Sequence, residues 1–119
     1  MNSPLAIVHE AVLLVDYVRS SALTSKFGNE IAAERKAELE RLVVAAAAQF
    51  KCVQRPKDTG DGFFCTFTHE IDAVNCAVAI LQYLPLLNQN MSRTELEIHI
   101  RIGITFGSLV VDQKGDRKC

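Results

Sequence analysis

The 119-residue sequence contains no tryptophan, and only 7% of its residues are aromatic. Charge of one sign is also scarce, since 13 lysines and arginines face 14 aspartates and glutamates, for a net charge of -1. Proteins that bind nucleic acid usually gather basic residues into a patch or stripe, whereas here they are scattered along the chain. We therefore expect no nucleic-acid partner.

Long apolar runs are missing as well. The longest run covers residues 42–48, far short of the ~20 residues that a membrane-spanning helix needs. Residues 1–4 lack the basic and then apolar order of a secretory signal. These absences predict no membrane segment in this chain and a cytoplasmic location.

The four cysteines show no Cys-x-x-Cys spacing, and Cys52, Cys65 and Cys76 lie among apolar neighbours. A free thiol in such surroundings behaves as a small hydrophobe, so we expect these three in the core. The three histidines are equally dispersed and indicate no zinc site.

About half of the sequence (49%) is hydrophobic, which suits one small domain over residues 1–119 with its own core. Hydrophobic periodicity predicts strand, helix, strand, strand, helix, strand and strand, in that order. The predicted strands are 7–15, 52–57, 63–67, 96–102 and 109–111, with a turn at Gly107, and the predicted helices are 29–50 and 70–84. The second helix is expected to end before Pro85 and to bury Ile71, Val74, Ala77, Val78 and Leu81.

This order predicts an α+β fold of the ferredoxin-like or palm-like βαββαβ type, an antiparallel sheet with its helices on one face and the last elements missing. In such a sheet the first two strands run parallel, and the third lies between them. The end of the first strand then lies beside the turn that joins the second and third strands.

Two carboxylates stand at these two places, Asp16 at the end of the first strand and Asp61 in the turn. Burying an ionised carboxylate is costly without a compensating cation, and divalent metal ions prefer oxygen ligands. Taken singly, Asp16 is explained as a helix N-cap, and Asp61 as part of an Asp-Gly hairpin turn. Because both fall at one edge of the predicted sheet, the pair favours a metal site.

Three segments in the same order, residues 12–23, 57–67 and 100–111, resemble motifs of the class III nucleotide cyclase catalytic domain (adenylyl and guanylyl cyclases). The resemblance covers nearly the whole chain. It implies that Asp16, Asp61 and the backbone carbonyl of Tyr17 hold two Mg²⁺ or Mn²⁺ ions, and it implies no further catalytic residue within the chain.

The resemblance also implies how the substrate is held. The loop formed by Val18, Arg19, Ser20 and Ser21 corresponds to the one that surrounds the triphosphate. Lys57 corresponds to the residue that recognises the purine, and a lysine there favours ATP over GTP. The site of such homodimers forms between two chains, so Lys57 is expected to serve the metal pair of a partner cyclase domain.

Two departures from the family pattern keep other functions open. The family usually has Gly-Phe where this chain has Arg19-Ser20, and its helix with the transition-state Asn and Arg has no counterpart in these 119 residues. The hypotheses are therefore an adenylate cyclase domain that forms cyclic AMP in intracellular signalling but is inactive as this truncated chain, a non-catalytic cyclase-like dimerisation or regulatory module, and another enzyme on a palm-like sheet. The absence of a Gly-Gly-Asp/Glu-Glu-Phe-like hairpin argues against the third.

Overall fold

The computed structural model describes residues 6–18, 20–89, 91, 93–112 and 114–118. Its strands are β1 (Ala6–Val18), β2 (Lys57–Asp58), β3 (Gly62–Phe67), β4 (His99–Val111) and β5 (Arg117–Lys118). Its α-helices are α1 (Ser20–Phe27), α2 (Asn29–Gln49) and α3 (Glu70–Asn88), and a 3₁₀ turn covers Thr94–Leu96.

The strands form one sheet in the order β2-β3-β1-β4-β5, and each neighbouring pair is antiparallel. Strands β1 and β2 therefore run parallel with β3 between them. This α+β arrangement confirms the predicted fold class, including the position of the β2–β3 turn beside the end of β1.

The helices pack on one face of the sheet. Residues Leu13, Val15 and Phe63 of this face are at most 1% exposed and belong to one apolar cluster with Leu39 and Ile80 of the helices. Because side chains alternate across a strand, the residues between them point to the other side. We call that other side, which carries Asp16, Phe64 and Arg101, the open face. Residues opposite each other in an antiparallel pair share a face.

The thiols lie where the sequence predicted. Cys65 and Cys76 are buried, at 3% and 0% exposure, and the half-buried Cys52 packs against the same cluster. A hydrogen bond with Cys76, together with burial, raises the pKa of the Cys65 thiol. These thiols therefore serve as core residues.

The strands differ from the prediction in several places. Strand β1 continues to Val18, the strands predicted at 96–102 and 109–111 form the single strand β4, and the polar run near the end of the sequence, expected to be a turn, contains β5. Strand β4 continues without a turn through Gly107, because all of it pairs with β1, from His99 opposite Val18 to Val111 opposite Ala6. Strand β2 has only two residues, and before it only Cys52 forms an isolated bridge, to Phe67.

The short strand β5 is held by an ion pair on the open face. Arg117 donates from Nε to Oε1 of Glu10 at 2.9 Å and from Nη2 to Oε2 at 3.1 Å. Glu10 is 6% exposed, and these hydrogen bonds raise the pKa of Arg117. Two charge-assisted hydrogen bonds of this kind compensate a buried carboxylate for the water that it loses.

Helix α3 differs most from the prediction. Of the five residues expected to be buried only Ala77 is buried, whereas Ile71, Val74, Val78 and Leu81 are 43–62% exposed. The buried residues of α3 are Ala73, Cys76, Ala77, Ala79 and Ile80, and the partly buried Leu84 and Leu87 also pack against the core. The helix also continues through Pro85 to Asn88.

Arg35 of α2 explains why α3 continues past its proline. Its side chain is buried, at 4% exposure, and donates to the carbonyl of Leu87 at 3.0 Å and to Oδ1 of Asn88 at 2.9 Å. It also donates to the carbonyl of Leu96 at 2.9 Å and to Glu38 at 2.8 Å. A proline inside a helix costs about 3 kcal/mol, and these bonds hold the last turn in place.

Helix α3 is long and apolar enough, by length and composition alone, to cross a membrane, with 28% of its most apolar 18-residue window buried. Core helices of soluble proteins pass the same test. No other helix in the described part of the chain does so.

We predict that Arg35→Met destabilises the fold by about 3–5 kcal/mol, because the carbonyls of Leu87 and Leu96 lose their donor and Glu38 loses its cation. Urea denaturation followed by circular dichroism measures the change. Arg55→Met, at a side chain that is 69% exposed, is the control, and we expect it within ~0.5 kcal/mol of the parent. Equal stability of the two variants would contradict the role given to Arg35.

Candidate functional site

The structure brings the backbones of Asp16 and Asp61 together at one end of the sheet. Asp16 lies opposite Gly62 in the β1–β3 pair, and the N–H of Tyr17 donates to the carbonyl of Asp61 at 2.7 Å. Both aspartate side chains are exposed, so the burial cost that the sequence suggested does not arise and only their position at one end of the sheet supports a metal site. Forty-five residues separate them in sequence, so it is the β1–β3 register that makes them neighbours.

Gly62 allows this close approach. A Cβ atom at this position would overlap the carbonyl oxygen of Val15 and would lie 3.1 Å from Cα of Asp16. In the preceding turn Gly60 has a φ of 98°, which side-chain-bearing residues rarely adopt. The turn closes with the N–H of Thr59 donating to the carbonyl of Gly62 at 3.0 Å.

An ion pair fastens this turn to the helices. Lys36 of α2 donates from Nζ to Oδ1 of Asp58 at 2.8 Å and also to the carbonyl of Gly60. The same Asp58 oxygen accepts the N–H of Gly60 at 2.7 Å. The Lys36 hydrogen bond, followed by that of Gly60, lowers the pKa of Asp58. The turn that carries Asp61 is therefore held by Lys36 of α2 as well as by its hydrogen bond to β1.

Tyr17 contributes to this region through its backbone. Its side chain faces the core at 5% exposure, and its hydroxyl has no hydrogen-bond partner among the described residues. Burial raises the pKa of the Tyr17 phenol, with a smaller opposing effect of Arg35. The phenol therefore stays neutral, and only the main chain of Tyr17 is available at the site.

Arg101 is the residue that sequence reasoning missed. It lies on β4 opposite Asp16, on the same face, and it is exposed. No ion pair of Arg101 is found in the described part of the chain. The alternation of Arg101 with Ile100 and Ile102 indicates a strand whose polar face carries Arg101. Only the pairing of β4 with β1 shows that the residue opposite Arg101 is Asp16. A free guanidinium beside Asp16 suits an anionic ligand.

The predicted phosphate loop lies at the junction of β1 and α1. Val18 is the last residue of β1 and Ser20 the first of α1, while Arg19 lies outside the described residues. Ser21 is exposed and lines a cavity of about 290 Å³ with Tyr17 and Gly60. Helix α1 thus begins four residues after Asp16, and the start of a helix carries unpaired N–H donors.

Lys57 is exposed and lies opposite Phe64, which in turn lies opposite Leu14. It therefore shares the open face with Asp16. Their backbones are two inter-strand spacings and two residues apart, with β3 between them, which is roughly 12 Å at standard sheet spacings. Lys57 lines a cavity of about 250 Å³ with Gln54, Arg55, Pro56, Phe64, Cys65, Thr66, Asp116 and Arg117.

The oxygen ligands near Asp16 fit a divalent ion that substrate and solvent help to coordinate. No cluster of three or more His, Cys, Asp or Glu side chains that could hold a metal occurs among the residues the structure describes. Magnesium commonly binds through one or two carboxylates together with substrate phosphates and waters. The two exposed carboxylates of Asp16 and Asp61 match that donor set. The close approach of β3 to β1 at Gly62 is what makes them neighbours.

Comparison with solved structures defines the fold. The chain has, in part, the fold of class III adenylyl and guanylyl cyclase catalytic domains, so the predicted resemblance is confirmed. A bacterial light-regulated adenylyl cyclase matches with a TM-score of 0.78 at 18% identity, covering 87% of this chain and 56% of that one. The adenylate/guanylate cyclase/hydrolase from Silicibacter pomeroyi matches with a TM-score of 0.74 at 28% identity, covering 97% of this chain and 65% of that one.

A guanylate cyclase domain from Catenaria anguillulae, solved in complex with GTP, matches with a TM-score of 0.72 at 18% identity, covering 87% of this chain. The chain spans 59% of that domain's length, and 56% and 65% of the other two. A scan against protein-family models and a search of curated proteins find no match.

We predict that Gly62→Ala destabilises the protein by about 1–3 kcal/mol, because the new methyl group forces β3 away from β1. Chemical denaturation measures the loss, and chemical shifts at Asp16 and Asp61 report the displacement. Gly103→Ala is the control, since Gly103 is also in a strand on the open face and a Cβ there would contact nothing within 4 Å. Similar losses in both variants would contradict the close approach at Gly62.

The pKa of Asp58 leads to a pH prediction. A carboxyl whose pKa is lower in the folded state stabilises that state above its unfolded pKa, and this contribution disappears as pH falls through the folded pKa. We therefore expect the turn to loosen only below the ordinary aspartate pKa of 3.8. An NMR titration of Asp58 measures its midpoint, and Lys36→Met should move it upward. A midpoint at or above 3.8 in the parent would contradict the ion pair.

Proposed function

We propose that this chain provides the metal-binding and phosphate-binding part of a nucleotide cyclase site, which forms cyclic AMP from ATP in intracellular signalling. The observation that carries the proposal is the juxtaposition of Asp16 and Asp61 through the β1–β3 register, on a cyclase catalytic-domain fold. The solved neighbours include adenylyl and guanylyl cyclases, which supports the reaction class.

In this proposal Asp16, Asp61 and the carbonyl of Tyr17 hold two Mg²⁺ or Mn²⁺ ions. When bound, such ions lower the pKa of the ribose 3′-hydroxyl and stabilise the charge on the leaving pyrophosphate. The two carboxylates fix where that positive charge sits. The Lys36–Asp58 ion pair keeps the turn in position, so little reorganisation is needed when nucleotide binds.

The remaining charges on the open face bind the anionic part of the substrate. Arg101 lies beside Asp16 without an ion-pair partner in the described chain and is free to contact phosphate oxygens. The segment from Val18 to Ser21 leads into α1, whose first N–H groups suit a phosphate. In sequence, Arg19 is the one cation of this segment.

Lys57 donates hydrogen bonds to acceptor atoms of the purine and favours adenine over guanine in this proposal. In a homodimer, or with another cyclase domain, it serves the metal pair of the partner chain. Donors for the transition state have no counterpart in these 119 residues. Since each such donor contributes about 10²–10³ in rate, we expect the chain alone to bind nucleotide but to turn it over very slowly.

Calorimetric titration of the chain with a non-cyclisable ATP analogue in the presence of Mn²⁺ tests the proposal. We expect metal-dependent binding, weakened at least roughly 10–100-fold by Asp16→Asn or Asp61→Asn, since metal sites lose that much even from changes around the ligands. Glu34→Gln removes one exposed carboxylate from α2 and should leave the affinity unchanged.

Binding that persists without Mn²⁺, or that survives both aspartate substitutions, would overturn the metal site. No binding by the parent chain would favour the non-catalytic dimerisation or regulatory module, for which the Arg19-Ser20 departure is the supporting feature. In the same titration Lys57→Glu should shift the preference toward a GTP analogue. Lys51→Glu is the control and should not do so, because Lys51, six residues earlier in the sequence, does not line the cavity.

A further inference from the structure

A further concave site lies on the helical side of the molecule, away from the open face. It is a groove between α2 and α3 with a volume of about 540 Å³, within the range of small-molecule sites. Its lining, which we call the helix groove, comprises Glu38, Arg41, Leu42, Ala45, Ala46, Gln49, Ala79, Tyr83, Leu86 and Leu87. None of these residues belongs to the proposed cyclase site.

The groove is open because its floor is made of small side chains. Ala45 and Ala46 of α2 and Ala79 of α3 are all part of the lining, so methyl groups stand where larger side chains would take up part of the space. On the α2 side the lining runs over about 16 Å, from residue 38 to residue 49 at 1.5 Å per residue. An elongated, narrow ligand matches this shape.

The walls are apolar and strongly exposed. Tyr83 is 53% exposed and Leu86 is 60% exposed. Both are large side chains that would contribute favourable free energy if they were buried. Apolar surface left in water is unfavourable in proportion to its area. A ligand with a hydrocarbon body would cover both side chains.

The charges at the rim favour one sign of head group. The carboxylate of Glu38 accepts a hydrogen bond from Arg35 at 2.8 Å, so its charge is already compensated. Arg41 is exposed and forms no ion pair with any residue in the described ranges. The free charge on the groove is therefore positive.

We propose that the helix groove binds a single-chain amphiphile with an anionic head group, of the medium-chain carboxylate type. The hydrocarbon chain lies along the alanine floor between Leu42 and Leu86, and the carboxylate pairs with Arg41. A cationic head group would be repelled at Arg41. A small polar ligand would leave the apolar walls uncovered.

Calorimetric titration of the full 119-residue chain with decanoate, decanol and decyltrimethylammonium, each below its micelle-forming concentration, tests this proposal. We expect decanoate to bind one molecule per chain and more tightly than the other two. Arg41→Gln should weaken decanoate binding about tenfold, since a charge-assisted hydrogen bond is lost, whereas Arg55→Gln should not.

Two alanines of the same helix give a matched pair for the shape of the groove. Ala45→Leu fills the floor and should weaken decanoate binding, whereas Ala48 is equally exposed but does not line the groove, so Ala48→Leu should leave it unchanged. Alanine and leucine have similar helix propensity, so both variants should fold.

Absence of decanoate binding would overturn the proposal, as would equal effects of the two alanine substitutions. Equal affinity for all three amphiphiles would also overturn it, and would indicate an apolar surface that another polypeptide covers. None of these measurements involves metal or nucleotide, so their outcome is independent of the cyclase site.

Discussion

Strand β1 is hydrogen-bonded along both edges, to β3 on one side and along its whole length to β4 on the other. Its inward side chains, such as Leu13 and Val15, are at most 1% exposed and anchor both long helices to the sheet. A shift of one residue in either pairing would turn these side chains to the open face. The same register places Asp16 between Gly62 and Arg101, so packing of the core and geometry of the candidate site are fixed together.

Helix α2 connects the two functional regions that we propose. Lys36 reaches the turn that carries Asp61, Arg35 reaches the end of α3, and Arg41 stands on the rim of the helix groove. The hydrogen bonds of Arg35 and Lys36 therefore join this 21-residue helix to the end of α3 and to the turn.

The parts of this fold that could be predicted depend on local patterns. Short stretches of sequence are enough to predict the apolar first strand, the long α2 and the Asp-Gly turn. The predicted strand order then places Asp16 beside Asp61. The buried face of helix α3 is predicted wrongly, because apolar residues occur on nearly all sides of this helix. Hydrophobic periodicity therefore does not distinguish its core-facing residues from exposed ones such as Ile71 and Val78. The last turn of α3, beyond Pro85, is held by Arg35, which lies 52 residues before Leu87 and 53 before Asn88 in sequence. Arg101 was missed for the same reason, since only the β1–β4 pairing shows its neighbour.

If divalent ions bind at Asp16 and Asp61, paramagnetic broadening by Mn²⁺ will be centred on these two residues. In an NMR titration of the chain with substoichiometric Mn²⁺ and an ATP analogue, we expect the amide signals of Asp16, Tyr17, Asp61, Gly62 and Arg101 to broaden first. The double variant Asp16→Asn, Asp61→Asn should lose this broadening. Strongest broadening at acidic residues of the helices, such as Glu34, or broadening that survives in the double variant, would show that the ions bind elsewhere.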